Sequence, residues 1–199
     1  MAMNWRRTLE ILDQHRTDEA VIVSPGMAGT LLYSIGHRQP ALYNVGLSYA
    51  SPYALGLALQ RPDLKVVAVE GDGSLIAGLG HLTTIARYRP RNLVVLVMDN
   101  GRYLNPPERS LPAATAYGVD LAGMARAAGI ENAVTVNDLE VLDRTVRRAL
   151  AEDGPFVIVC KVDSTSVDRS GLKTYARDRV EQAIEFRQYL DEHPPAASS

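Results

Sequence analysis

Lys65-Val66-Val67-Ala68-Val69-Glu70-Gly71-Asp72-Gly73-Ser74 carries an apolar segment, with no polar alternation, straight into a turn containing two glycines. A strand without alternation is one buried on both faces, as in a parallel sheet covered by helices. Leu93-Val94-Val95-Leu96-Val97-Met98 has the same character. Between the two, Ser74 to Tyr88 has a helical pattern despite its glycines. Strand, helix and strand therefore follow one another over about 35 residues, which is the length of a right-handed crossover unit.

Outward from this unit the same alternation continues. Upstream, Trp5, Leu9, Ile11 and Leu12 predict a lead-in helix over residues 4–16, and Ala20 to Val23 predicts a strand ending in the turn Ser24-Pro25-Gly26. A helix from Met27 to Ile35 closes at Gly36, a second strand covers Ala41 to Val45, and Ser51-Pro52 opens a small-residue helix to Leu59. Downstream come a loop rich in proline (Pro106, Pro107, Pro112), a helix at Leu121 to Ala128 and a strand at Ala133 to Val136. A helix from Asp138 to Ala151 follows, and then a strand from Phe156 to Val162, introduced by Gly154-Pro155. The expected fold is α/β, a three-layer α/β/α sandwich around a mainly parallel sheet. Residues 1–163 are expected to form this domain, 164–192 a polar helical extension with Leu172, Tyr175, Val180, Ile184 and Tyr189 as apolar positions, and 193–199 a frayed tail.

Composition removes several function classes. The 199 residues carry 21 Lys and Arg against 23 Asp and Glu, a formal charge of -2. That balance lacks the basic footprint of a nucleic-acid or anionic-membrane binder, so small molecules and proteins are the expected partners. With Cys160 as the one cysteine, no intrachain disulfide or cysteine-held metal site can form. No apolar run approaches the roughly 18 residues of a membrane span, and none follows Arg6-Arg7, so a cytoplasmic location is expected.

The chemistry concentrates at Gly71-Asp72-Gly73-Ser74, at the carboxyl end of a strand, where open parallel sheets bind ligands. Two glycines let the backbone approach a phosphate, and the N–H groups of a first helical turn favour an anion. A phosphate alone would repel Asp72, but a hard divalent cation between them would join the two. On its own Gly-Asp-Gly is most often a plain strand-to-helix turn. The next strand, however, ends in Asp99-Asn100-Gly101, and the 26 residues 74–99 separate Gly73 from Asn100. Asn100 is thus expected to reach an ion held by Asp72. The two side-chain oxygens and a backbone carbonyl after Asn100, with two phosphate oxygens and a water, would complete the octahedron of Mg²⁺.

This Gly-Asp-Gly-Ser, 26-residue, Asn-Gly pattern, with Tyr103 shortly after, resembles the cofactor motif of the thiamine-diphosphate-dependent enzymes. The resemblance implies Mg²⁺ ligation by Asp72, Asn100 and the carbonyl of Arg102. It places Gly71, Gly73, Ser74 and Tyr103 at the diphosphate end, with Ser24, Gly26 and Met27 near that end or at the mouth of the site. The loop Asn44-Val45-Gly46-Leu47-Ser48 resembles the segment that contacts the aminopyrimidine. Leu47 would prop the bent cofactor, and the backbones of Val45 and Leu47 would hydrogen-bond it. Taken alone, Leu47 reads equally well as core.

The resemblance covers residues 20–163 and is closest to the pyrophosphate-binding domain of sulfopyruvate decarboxylase β subunits and of phosphonopyruvate decarboxylase. Those proteins carry a Ser-Arg-Glu-Leu type stretch in the loop after the first strand. Here Gly29-Thr30-Leu31-Leu32 stand in its place, which weighs against a sulfonate or phosphonate substrate.

The implied activity is decarboxylation of a small 2-oxo acid by thiamine diphosphate and Mg²⁺. In this family a Glu on a separate pyrimidine-binding domain activates the cofactor, so no catalytic residue is assigned to this chain. The expected assembly is a heteromer with a pyrimidine-domain subunit, α₂β₂ or larger. Alternatives are a subunit of a carboligase of the acetolactate-synthase kind, the β subunit of a 2-oxo acid:ferredoxin oxidoreductase, a half transketolase or dehydrogenase E1 α chain, and a non-catalytic cofactor-binding module. Other conspicuous residues take plainer readings. His37 and Arg38 are expected to cap a helix at the surface, His81 to make a subunit contact, and Lys161 and Asp163 to solvate the end of the last strand. Tyr33, Tyr43, Tyr49 and Tyr53 are expected around Leu47, as a substrate pocket or as half-buried packing.

Overall fold

A computed structural model describes residues 2–103, 110–163, 170–173 and 178–195. Its centre is a six-stranded, all-parallel sheet. The first half of the chain supplies β1 (Ala20–Val23), β2 (Ala41–Tyr43), β3 (Val66–Gly71) and β4 (Leu93–Asp99). A short antiparallel pair, β5 (Arg102–Tyr103) with β6 (Leu111–Pro112), lies apart, and β7 (Asn132–Val136) and β8 (Phe156–Lys161) complete the main sheet in the order β2-β1-β3-β4-β8-β7.

Helices α1 (Trp5–His15), α2 (Met27–Gly36) and α7 (Leu139–Ala151) cover one face. The other face carries α3 (Ala50–Gln60), α4 (Asp72–Ala77), α5 (His81–Tyr88), α6 (Leu121–Ala128) and α8 (Arg179–Glu192). The α/β/α sandwich is as expected, and its cause is visible residue by residue. Val67 and Val69 of β3, with Val94, Leu96 and Met98 of β4, enter the first core. Val66, Ala68, Leu93, Val95 and Val97 enter the second. Each strand buries both faces, so its sequence has no polar alternate positions.

After β1 the chain passes outward to β2 and then back past β1 to β3. That reversal opens a crevice at the carboxyl edge between β1 and β3, the place where such sheets take ligands.

Several expectations are corrected. The helix expected over 74–88 is two helices, because Gly78-Leu79-Gly80 form a turn in which the Gly78 N–H bonds the Leu75 carbonyl (3.1 Å). Of the polar helix expected over Ser164 to Leu190, residues 164–169 and 174–177 lie outside the described residues, 170–173 are not helical, and the described helix is Arg179–Glu192, where Asp178 and Glu181 form a reciprocal capping box. Pro106, Pro107 and Tyr175 lie outside the described residues. Asp163 does more than solvate a strand end, since its carbonyl accepts the Trp5 indole N–H (2.9 Å). Together with the Met3 N–H to Lys161 carbonyl bond (2.8 Å), this brings the start of α1 to the ligand edge. Among the described residues no helix is long and apolar enough to cross a membrane.

Candidate cofactor site

Four strand ends converge on a cavity of about 500 Å³. After β1, the Ser24 hydroxyl oxygen accepts the Gly71 N–H (3.2 Å), and the Ser24 N–H donates to the Val69 carbonyl (2.9 Å). These bonds lock the turn after β1 to the turn after β3. Gly26 has φ of 129°, a conformation that only glycine adopts cheaply.

After β2 the chain enters a loop with left-handed backbone at Asn44 (φ 57°) and Ser48 (φ 64°), and Gly46 at φ 132°. The Val45 N–H donates to the Val23 carbonyl (3.2 Å), and the Ser48 N–H to Ser74 Oγ (2.8 Å). Leu47 is left 54% exposed on the cavity wall, which excludes the reading of Leu47 as plain core.

At the end of β3, a Cβ at Gly71 would meet no heavy atom within 4 Å, so the backbone there faces open space. A Cβ at Gly73 would run into the Tyr103 ring. After β4, Asn100 Oδ1 accepts the Arg102 N–H (3.1 Å), while the Arg102 guanidinium donates to Ser110 Oγ (2.7 Å). What Arg102 can offer an ion is therefore its carbonyl.

Asp72 is buried, and its Oδ2 accepts the Thr115 hydroxyl from a 3-10 turn at Ala114–Tyr117 (2.9 Å). Burial pushes its carboxyl up to about 6; the Thr115 bond opposes this and the neighbouring Asp99 adds to it. Asp99 is buried as well and pairs with the Lys161 ammonium. Lys161, expected only to solvate a strand end, is thus the cation that neutralises Asp99 beneath the site.

Of the predicted residues, Ser24, Gly26, Leu47, Gly71, Asp72, Gly73, Ser74, Asn100, Arg102 and Tyr103 line one cavity. Val45 and Gly46 are not among its lining residues; they carry Leu47 there. Met27 also lines it, as expected, together with Trp5, Thr30 and Met98, which sequence reasoning missed. Trp5 reaches the cavity from α1 through a tertiary bond that no local spacing announces.

Gly29-Thr30-Leu31-Leu32 lie inside α2, within the helix expected from Met27 to Ile35, with Leu31 and Leu32 fully buried. The four tyrosines separate into two groups. Tyr49 stacks on Tyr53 (5.8 Å), both half-exposed and neither lining the cavity, whereas Tyr33 and Tyr43 pack with His37 away from it. His37 stands exposed at the C-cap of α2, as expected, and a ring nitrogen lies 3.2 Å from Tyr43 Oη. Arg38 pairs with Asp13 (2.7 Å) and donates to the Asp13 and Arg16 carbonyls, fastening α2 to α1.

Asp72 carboxylate, Asn100 amide oxygen and a backbone carbonyl, beside exposed glycine backbone, are donor types that could hold a hard cation and an anion. Residues 33–160 match the family model described as "Thiamine pyrophosphate enzyme, C-terminal TPP binding domain".

The chain is 35% identical, over 92% of its length, to a phosphonopyruvate decarboxylase of Streptomyces viridochromogenes, and spans 44% of that protein. It is 32% identical, over 81% of its length, to the sulfopyruvate decarboxylase subunit beta of Methanococcus maripaludis, and spans 85% of that protein. The fold is similar to that of the thiamine diphosphate-dependent 4-hydroxybenzoylformate decarboxylase of Rhodococcus jostii RHA1 (TM-score 0.69, 21% identity, 83% of this chain and 34% of that one). The chain belongs to the thiamine pyrophosphate enzyme family, as their C-terminal TPP-binding domain.

Proposed function

We propose that this chain is the thiamine-diphosphate-binding subunit of a split 2-oxo acid decarboxylase, working with a pyrimidine-domain subunit that supplies the activating Glu. The observation that carries the reading is the meeting of Asp72, Asn100 and Arg102 with the open backbone of Gly71 on one cavity wall. Asp72, Asn100 Oδ1 and the Arg102 carbonyl would hold Mg²⁺, and the raised Asp72 carboxyl marks a buried charge that a cation would relieve. Gly71, Gly73 and Ser74 would receive the diphosphate, and Leu47, exposed at the rim, would support the cofactor's bend.

When bound, thiamine diphosphate supplies the electron sink for loss of CO₂ from the 2-oxo acid. The protein's part is positional: Ser24 and Thr115 fix the turns, and Tyr103 closes over Gly73. The resemblance over most of a protein named as a subunit beta supports a heteromer. A carboligase subunit shares every one of these features, because decarboxylation precedes both outcomes.

The test is reconstitution. The assembly containing this chain and its co-purifying partner is expected to release CO₂ from at least one of a panel of 2-oxo acids, and neither chain is expected to do so alone. Full activity from this polypeptide by itself would contradict the split reading. A local prediction concerns Gly73→Ala. The methyl displaces the Tyr103 ring, so cofactor affinity is expected to fall about tenfold, a loss of about 1.4 kcal/mol. The loss is read as reduced quenching of Trp5, the single tryptophan, on titration with thiamine diphosphate and Mg²⁺.

A further inference from the structure

We propose that Glu70 is a positioning residue that ties the Leu47 loop to the turn after β3 and so sets the shape of the cofactor cleft. Glu70 is fully buried in β3, does not line the cavity and has no part in the chemistry above. A buried carboxylate is costly unless its oxygens are hydrogen-bonded. Here Oε1 accepts both the N–H (2.9 Å) and the hydroxyl (2.8 Å) of Ser51 in the first turn of α3. Oε2 accepts the Ser74 hydroxyl (2.5 Å), and Ser74 Oγ in turn accepts the Ser48 N–H (2.8 Å). One carboxylate therefore gathers the end of β3, the start of α4 and both sides of the turn into α3.

The loop needs such support. Asn44 and Ser48 hold left-handed backbone at a cost of about 1 kcal/mol each. Leu47, half-exposed, returns little packing to offset that cost. The height at which Leu47 stands over the cleft is then set by the relay from Ser48 through Ser74 to Glu70.

The chemistry of the relay needs an acceptor at both oxygens. A Gln at position 70 can keep its oxygen on Ser51, but its NH₂ must then face Ser74 Oγ, which already accepts the Ser48 N–H. The Ser74 hydroxyl proton loses its acceptor, and the tie weakens without loss of volume. The consequence for the cofactor rests on the thiamine reading above; the tie itself does not.

The test uses Glu70→Gln and Ser74→Ala in the native assembly, first without cofactor. Hydrogen exchange at the Ser48 amide is expected to speed up about tenfold in both variants, with the β3 amides before Glu70 unchanged. Cofactor affinity, titrated calorimetrically with Mg²⁺ present, is expected to weaken about tenfold in Glu70→Gln. Wild-type exchange at Ser48 in Glu70→Gln would overturn the tie, whatever the rate in Ser74→Ala. Faster exchange with unchanged affinity in Glu70→Gln would overturn its role in shaping the cleft. If the wild-type assembly bound no thiamine diphosphate, the functional reading would fail, and the Ser48 exchange rates would still decide the tie. Should Glu70→Gln fail to fold, Glu70→Asp, which keeps the charge but is one methylene too short to reach both Ser51 and Ser74, takes its place in the same exchange measurement.

Discussion

Asp72→Asn is expected to lower Mg²⁺-dependent affinity for thiamine diphosphate by about 100-fold or more, while making the metal-free chain more stable. The affinity is lost because an amide supplies neither the charge nor the second oxygen that a hard cation draws on. The stability rises because burial holds the Asp72 carboxyl at about 6, above its ordinary 3.8. A rise of about two units corresponds to about 3 kcal/mol as an upper bound, and about 1–3 kcal/mol is expected once relaxation and the coupling to Asp99 are allowed for.

The sign follows from which state holds the proton more tightly. The folded chain does, so the contribution of Asp72 to stability is greatest below pH about 4, falls as the unfolded chain ionises first, and levels off above about 6. Asn has no proton to release, and the Thr115 hydroxyl can still donate to its oxygen. The fall between pH 4 and 6 should therefore shrink in the variant when melting is followed in chelator. An Asn variant less stable than wild type at pH 8, with Mg²⁺ dependence intact, would remove Asp72 from the ligand set.

Lys161→Met is expected to destabilise the chain by about 2–4 kcal/mol, because it strips the cation from a buried carboxylate. Asp99 is 2% exposed, and its partner's side chain 37%, so the loss falls short of that for a fully enclosed pair. The remaining charge would sit beside Asp72, where a second carboxylate is already unfavourable. Adding Asp99→Asn removes that charge and should restore most of the loss, since a neutral pair leaves no orphaned ion. Denaturant midpoints of the two single variants and the double variant measure this. A Lys161→Met midpoint equal to wild type would show that Asp99 needs no counter-charge.

These two residues also show where sequence reading ends. Val66 to Val69 and Leu93 to Met98 were legible because burial on both faces writes itself into consecutive positions. Asp72 and Asn100 were legible because their cation chemistry depends on strand ends that spacing can count. Lys161 and Thr115 were not, since their partners Asp99 and Asp72 stand 62 and 43 positions away, and only the folded sheet brings them together.

Glu70 carries no local signal in the sequence to show that three segments hang on it. The break at Gly78-Leu79-Gly80 was hidden because single glycines are tolerated in a helical pattern. The β5–β6 pair was missed because two-residue strands containing a proline carry no periodicity. Tyr33 and Tyr43 were placed with Tyr49 and Tyr53 by proximity in sequence, yet α2 and β2 turn them toward α8.

The central claim is that the carboxyl edge of β1 to β4 holds the diphosphate and metal end of the cofactor. Calorimetric titration of thiamine diphosphate into the native assembly, with Mg²⁺ and then with chelator, tests it most directly. The account predicts saturable binding at one site per copy of this chain with Mg²⁺ present, and its loss with chelator or in Asp72→Asn. Absence of binding with Mg²⁺, or binding that survives both chelator and Asp72→Asn, would contradict it.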